Sequence, residues 1–285
     1  MVKQLRILGV LSLVAAGLVG CGKSSQPAIN GQPNTGIIGG VEATGTEDYA
    51  KTIVMLYNAA EGSLCTASII SDQNLVTAAH CVDGPAANLR IVFGTDLANK
   101  ATRIVKAVDS YETSPVYAFR SSEEFNTGDI AVVKFSGGLP PGFQAAPILR
   151  NAGSLQNGVS VMLAGYGIAN GVSHEGAGKL RSVEVNILNN QYSESEVLLD
   201  QTQGKGACHG DSGGPAYINV GGQWMLWGVT NRGVNDPKND CSVSASYASI
   251  PYYASWITKT AAKLNGGSSN GGFNSFSFPI AASGN

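Results

Sequence analysis

Between residues 53 and 230 the chain is a succession of short apolar runs, each stopped by Gly, Asn, Asp, Ser or Pro. The runs are rich in Val and Ile, and they predict strands over 53–57, 66–70, 75–79, 90–93, 103–108, 130–135, 159–164, 180–188, 215–220 and 224–230. No stretch between them carries a helical period, which excludes a parallel sheet built from strand–helix–strand units. Glycine accounts for 37 of 285 residues, against an ordinary usage of roughly 7%. That excess suits many tight turns and opposes a helical bundle. The pattern is all-β, a barrel or a sandwich. One helix is predicted, over 252–264, with Asn265-Gly266 as its stop.

Hydrophobic residues at 43% and charged residues at 13% supply ample core and argue against a disordered chain. The length suits one large or two ordinary domains, and no repeat recurs at solenoid spacing. The net charge is −2, and the only charges in residues 1–36 are Lys3, Arg6 and Lys23. The remainder carries 15 basic against 20 acidic groups, so no nucleic-acid partner is expected.

Lys3 and Arg6 precede an apolar stretch over 7–19, 13 residues long, too short for a spanning helix of about 20. It ends in Leu18-Val19-Gly20-Cys21, which resembles the lipobox of bacterial lipoproteins. The resemblance implies a signal peptide over 1–20, lipid attachment at Cys21 and a membrane-anchored, exported protein; an ordinary secretory signal with an incidental cysteine is the alternative. Residues 21–36 read as a tether or propeptide, and 265–285 as a Gly/Ser/Asn-rich disordered tail, with docking of its Phe residues as the alternative. Five cysteines are present. With Cys21 lipidated, Cys65, Cys81, Cys208 and Cys241 suffice for two disulfides in an oxidising compartment. Three pairings are open at this level, and no Cys/His spacing suggests a metal or cofactor.

The chemistry concentrates in Gly210-Asp211-Ser212-Gly213-Gly214-Pro215. Glycines beside a serine let backbone N–H groups approach a reacting carbonyl. A nucleophilic serine also needs a base and a group that orients the base. The pattern satisfies Gly-x-Ser-x-Gly, but an α/β-hydrolase elbow requires a later histidine, and none follows Ser212. The base therefore precedes it. His174 lies in a Gly/Ser-rich stretch and His209 is too close in sequence, so it reads as a pocket-rim residue. His80 in Thr77-Ala78-Ala79-His80-Cys81 is the candidate base, and Asp129, heading Ile130–Phe135, is the candidate acid.

These pieces, with Ile37-Ile38-Gly39-Gly40, Ala164-Gly165-Tyr166-Gly167 and the terminal helix through Trp256-Ile257, resemble the chymotrypsin/trypsin-type serine endopeptidases over residues 37–264. The resemblance implies two six-stranded antiparallel barrels with a C-terminal helix and the site between them. It implies Ser212 as nucleophile, His80 as general base and acid, Asp129 as orienter, and the N–H groups of Gly210 and Ser212 as oxyanion hole. It pairs Cys65 with Cys81 and Cys208 with Cys241. It implies a latent precursor, cut between Gly36 and Ile37, whose new ammonium pairs with Asp211. The specificity pocket maps to Gly206, Gly233 and Ala245. Gly206 stands where Lys/Arg-selective members carry Asp, so an uncharged pocket is expected. Asn231 and Arg232 stand where Ser and Trp are usual. A monomer acting on peptides or proteins is expected, with an inactive protease-shaped binding module or an esterase as the rival readings.

Overall fold

The computed structural model describes residues 37–117 and 127–267. The signal segment with Cys21, the tether and the tail over 268–285 lie outside these residues.

One antiparallel sheet comprises β2 (Ile53–Asn58), β3 (Ser63–Ile69), β4 (Asn74–Thr77), β5 (Leu89–Phe93), β6 (Ile104–Ala107), β7 (Ser110–Thr113) and β8 (Ala131–Lys134). Its spatial order is β6-β5-β2-β3-β4-β8-β7. The other comprises β1 (Val41–Glu42), β9 (Ser160–Gly165), β10 (Arg181–Asn189), β11 (Glu196–Asp200), β12 (Pro215–Val220), β13 (Gln223–Val234) and β14 (Ser244–Ser249). There β9 pairs with both β12 and β10, which closes β9–β14 into a six-stranded barrel and leaves β1 as an addition on β10.

The two antiparallel barrels and the C-terminal helix are the expected architecture. The strand predicted over 103–108 forms as β6 and ends at Ala107, and a further strand, β7, which the sequence did not mark, begins at Ser110. Asp109 N–H turns to the Lys134 carbonyl at 2.9 Å, so the chain leaves β5 and joins β8. The two edge strands are consecutive in sequence, and the sheet must curl until its edges meet at this corner.

Alternation sorts side chains as a half-buried strand requires. Along β10, Arg181, Val183, Val185 and Ile187 are buried, whereas Glu184, Asn186 and Leu188 are exposed. Each barrel has its own apolar interior. Phe93 packs edge-on against Phe135 and Phe143 in the first, and Trp227 lies against Tyr247 in the second. The helix α1 (Ile250–Leu264) starts two residues earlier than predicted, with Pro251 in its first turn, where no N–H is needed. Its buried Ile250, Tyr253, Ile257 and Ala261 recur at three- and four-residue steps. They join a core cluster that fills the first barrel and continues into the second, with α1 packed on β7, β8 and β13.

The described residues contain two disulfides, Cys65–Cys81 with Cα atoms 6.0 Å apart and Cys208–Cys241 with Cα atoms 5.5 Å apart. These are the pairings the family resemblance implies.

Candidate active site

After β4 the chain makes a short 3-10 turn, Ala79–Val82, which carries His80. The Cys65–Cys81 bridge ties this turn back to β3. Asp129 lies just ahead of β8 and is 6% exposed. Its Oδ1 accepts the His80 backbone N–H at 3.0 Å, and its Oδ2 lies 2.7 Å from His80 Nδ1. Gly128 before it has φ 63°, and a Cβ there would come within 2.9 Å of Tyr117 N, so only glycine fits the bend. Burial lowers the affinity of His80 for a proton, but the bond and charge of Asp129 outweigh it and hold the imidazole above its usual pKa of 6.5.

The turn that carries Ser212 is sewn to both barrels. Its Ser212 carbonyl accepts Thr66 N–H at 2.8 Å, and its Gly210 carbonyl accepts Thr66 Oγ1 at 3.0 Å. Toward the second barrel, Gly213 N–H donates to Thr230 O at 2.8 Å. Gly213 has φ 78°, and a Cβ on it would fall 2.0 Å from Thr77 Oγ1. The carbonyl of Ser212 also lies 3.6 Å from Cys81 Sγ, one residue from His80. The turn that carries Ser212 therefore lies beside the turn that carries His80, which Asp129 holds. Among the described residues no backbone acceptor takes the N–H of Gly210 or of Ser212.

Asp211, next to the nucleophile candidate, is fully buried. Its Oδ1 accepts Gly167 N–H and its Oδ2 accepts Cys208 N–H, both at 2.8 Å. A Cβ on Gly165 would lie 2.2 Å from Asp211 Oδ1, and one on Gly167 would lie 2.6 Å from Oδ2. This is the physical content of the Gly165-Tyr166-Gly167 motif. Burial pushes the Asp211 carboxyl up to about 7, against the pull of its two N–H donors and of Arg181. Ile37 is 1% exposed and packs into the second barrel, and Ile38 pairs with Gly206.

A cleft of about 240 Å³ opens beside Ser212, lined among others by Gln201, Ala207, Gly233 and Ala245. Gly206 does not line it, because the Gln201 side chain intervenes. Gln201 Oε1 accepts Ala207 N–H and Nε2 donates to Cys241 O, each at 2.8 Å. A Cβ on Gly206 would lie 2.3 Å from Gln201 Cδ. Nothing in the sequence marks Gln201 as a pocket residue.

His209 lies at the mouth of this cleft with its ring stacked on His174, centroids 5.5 Å apart. Asn231, oriented to donate, reaches the backbone carbonyl of Asp129 at 3.0 Å. Two groups combine cysteines with a histidine, Cys65/His80/Cys81 and Cys208/His209/Cys241. Both pairs of sulfurs are in disulfides, which removes the thiolate a metal needs.

A family model for trypsin matches residues 37–257. Trypsin delta of Drosophila erecta is 28% identical over 274 residues, covering 90% of this chain and all of the relative. Brachyurin of Leptuca pugilator is 27% identical over 238 residues, covering 78% and 96% respectively. The CLIP domain-containing serine protease B4 of Anopheles gambiae is 27% identical over 282 residues, with 85% and 76% covered. With its two barrels, its terminal helix and a family match over most of its length, the chain belongs to the trypsin family of serine endopeptidases.

Proposed function

We propose that this protein hydrolyses peptide bonds through an acyl-enzyme made on Ser212. The observation that carries the reading is the two-point hold of Asp129 on His80 beside the Ser212 turn. A carboxylate on Nδ1 fixes the tautomer in which Nε2 is free to accept a proton. As Ser212 Oγ bonds to the scissile carbonyl carbon, His80 Nε2 takes the hydroxyl proton. The carbonyl oxygen becomes an oxyanion, met by the N–H groups of Gly210 and Ser212. The carbon–nitrogen bond then breaks, and His80 returns the proton to the departing amine. Water repeats the sequence on the ester and regenerates Ser212. Asp129 stays ionised and stabilises the imidazolium.

The cleft is lined by Gln201, Ala207, Thr230, Gly233 and Ala245 together with Arg232 and Asp236. Glycine at position 206, where Lys/Arg-selective members carry Asp, supports uncharged side chains on the acyl side of the cut. Latency rests on Asp211, a buried carboxyl with two N–H donors and, among the described residues, no cation in contact. A new ammonium at Ile37, released by cutting after Gly36, is the group that would pair with it. The lipid anchor at Cys21 rests on the sequence of residues 1–21, since the relatives come from insects and a crab. The matured domain would act as a soluble monomer in an exported setting.

Cleavage of a peptide library by the matured enzyme, with Ser212→Ala as control, tests the proposal. Wild type should cut peptides and the variant should not. Hydrolysis of simple esters with no peptide cut would establish an esterase instead, and no reaction at all would establish a binding module.

A further inference from the structure

We infer that the ion pair between buried Glu196 and part-exposed Arg232 of the second barrel is a positioning device for the acid of the first, holding the segment that carries Asp129 and, through it, His80. The inference rests on the endopeptidase reading for its kinetic consequences only. Glu196 is 1% exposed at the head of β11. Its Oε1 accepts Thr127 N–H at 3.0 Å and Thr127 Oγ1 at 2.7 Å. Arg232 closes a two-pronged bond on the same carboxylate, Nη1 to Oε1 at 3.0 Å and Nη2 to Oε2 at 2.9 Å. Its Nη1 also lies 3.4 Å from Thr127 Oγ1.

Thr127 precedes Asp129 by two residues on the opposite barrel, and Asn231, adjacent to Arg232, reaches the Asp129 carbonyl. The segment 127–129 is thus gripped at both ends from β11 and β13. A buried ion pair adds little net stability over an apolar pair of the same shape, but a planar guanidinium fork on a carboxylate fixes geometry. The family usually has Trp at the place of Arg232, so the grip belongs to this chain. The charged and titratable groups acting on Asp129 include His80, Tyr117 and Arg232.

Two variants leave the charges in place. Thr127→Val, at a residue outside the cleft, deletes the hydrogen bonds of Thr127 Oγ1 to Glu196 and Arg232 and keeps the backbone one, and Arg232→Lys keeps the charge but breaks the fork. In the matured enzyme, with active molecules counted by phosphonofluoridate labelling of Ser212, each should lower kcat by roughly tenfold. KM of Thr127→Val should stay within about twofold. The acidic limb of kcat/KM should move to lower pH, because a loosened Asp129 supports the His80 imidazolium less. The proton between His80 Nδ1 and Asp129, followed by NMR, should weaken and move upfield. A purely structural role would alter thermal stability and leave the limb and the proton signal in place. Both variants retaining the wild-type limb, kcat and proton signal would overturn the inference. Thr127→Val keeps the test open should Arg232→Lys not fold. Wild type without peptidase activity would sink the endopeptidase reading instead, and the proton signal would still test the grip.

Discussion

Asp129 holds His80 at two points, Oδ1 on its backbone N–H and Oδ2 on its ring, 3.0 and 2.7 Å away. The first bond fixes where the residue sits, and the second engages Nδ1 and leaves Nε2 to other partners. Asp129→Asn keeps the shape but presents an amide to Nδ1, which favours the wrong tautomer. Peptide hydrolysis near neutral pH should fall by roughly four orders of magnitude, with little change in thermal midpoint. A variant within tenfold of wild type would show that Asp129 does not orient the base.

The reach of the sequence follows from the range of each interaction. Strands dense in Val and Ile, such as β2 and β8, announce themselves because propensity and burial agree. The strand β14 does not, since Ser244-Ala245-Ser246-Tyr247-Ala248-Ser249 is small and polar although every residue is buried. Its burial comes from β11 and β13 on either side. His80 and Asp129, singled out by motif and order, do lie in contact. The partnership of Thr127 with Glu196, 69 positions apart, and the intrusion of Gln201 in front of Gly206 arise only once the barrels pack. The strand β7 left no mark either, because Ser110-Tyr111-Glu112-Thr113 is mostly polar and only half-buried, and its place comes from pairing with β8.

The buried Asp211 makes precursor stability depend on pH. Its ordinary value is 3.8, and in the intact chain burial pushes it up to about 7. Between those values the native state holds a proton that the unfolded state has lost. Stability therefore falls as pH rises through that window and levels off above it, by several kcal/mol at most (about 1.4 per pH unit). Urea midpoints of a Ser212→Ala precursor between pH 4 and 8 should show this fall, and Asp211→Asn should flatten it. Parallel curves for the two proteins would refute the assignment.

Specificity should resist the obvious substitution. Gly206→Asp would place the acid of a Lys/Arg-selective enzyme, but its Cβ would lie 2.3 Å from Gln201 Cδ. The single variant should be destabilised and still fail to cut after Lys or Arg. Gly206→Asp with Gln201→Gly should relieve the contact and introduce basic selectivity, read from the cleavage profile. A wild-type profile dominated by Lys and Arg would contradict the uncharged pocket at the outset.

Maturation should change both activity and location. Cutting between Gly36 and Ile37 frees an α-amino group with an unperturbed pKa of about 7.7–8.0. Pairing with Asp211 raises it, so its contribution is fully present below that range and is lost as pH rises through the folded value. Mature enzyme should thus be more stable than precursor at neutral pH and lose the difference in alkali. The cut also separates the domain from Cys21, and no cysteine lies between Cys21 and Cys65 to keep the pieces joined. Gly36 is neither Lys nor Arg, so an activator with basic selectivity should not process the chain. N-terminal sequencing of membrane-bound and soluble fractions should find inactive protein beginning at acylated Cys21 and active protein beginning at Ile37. Full peptidase activity in protein that still begins at Cys21 would overturn the activation step and the release together.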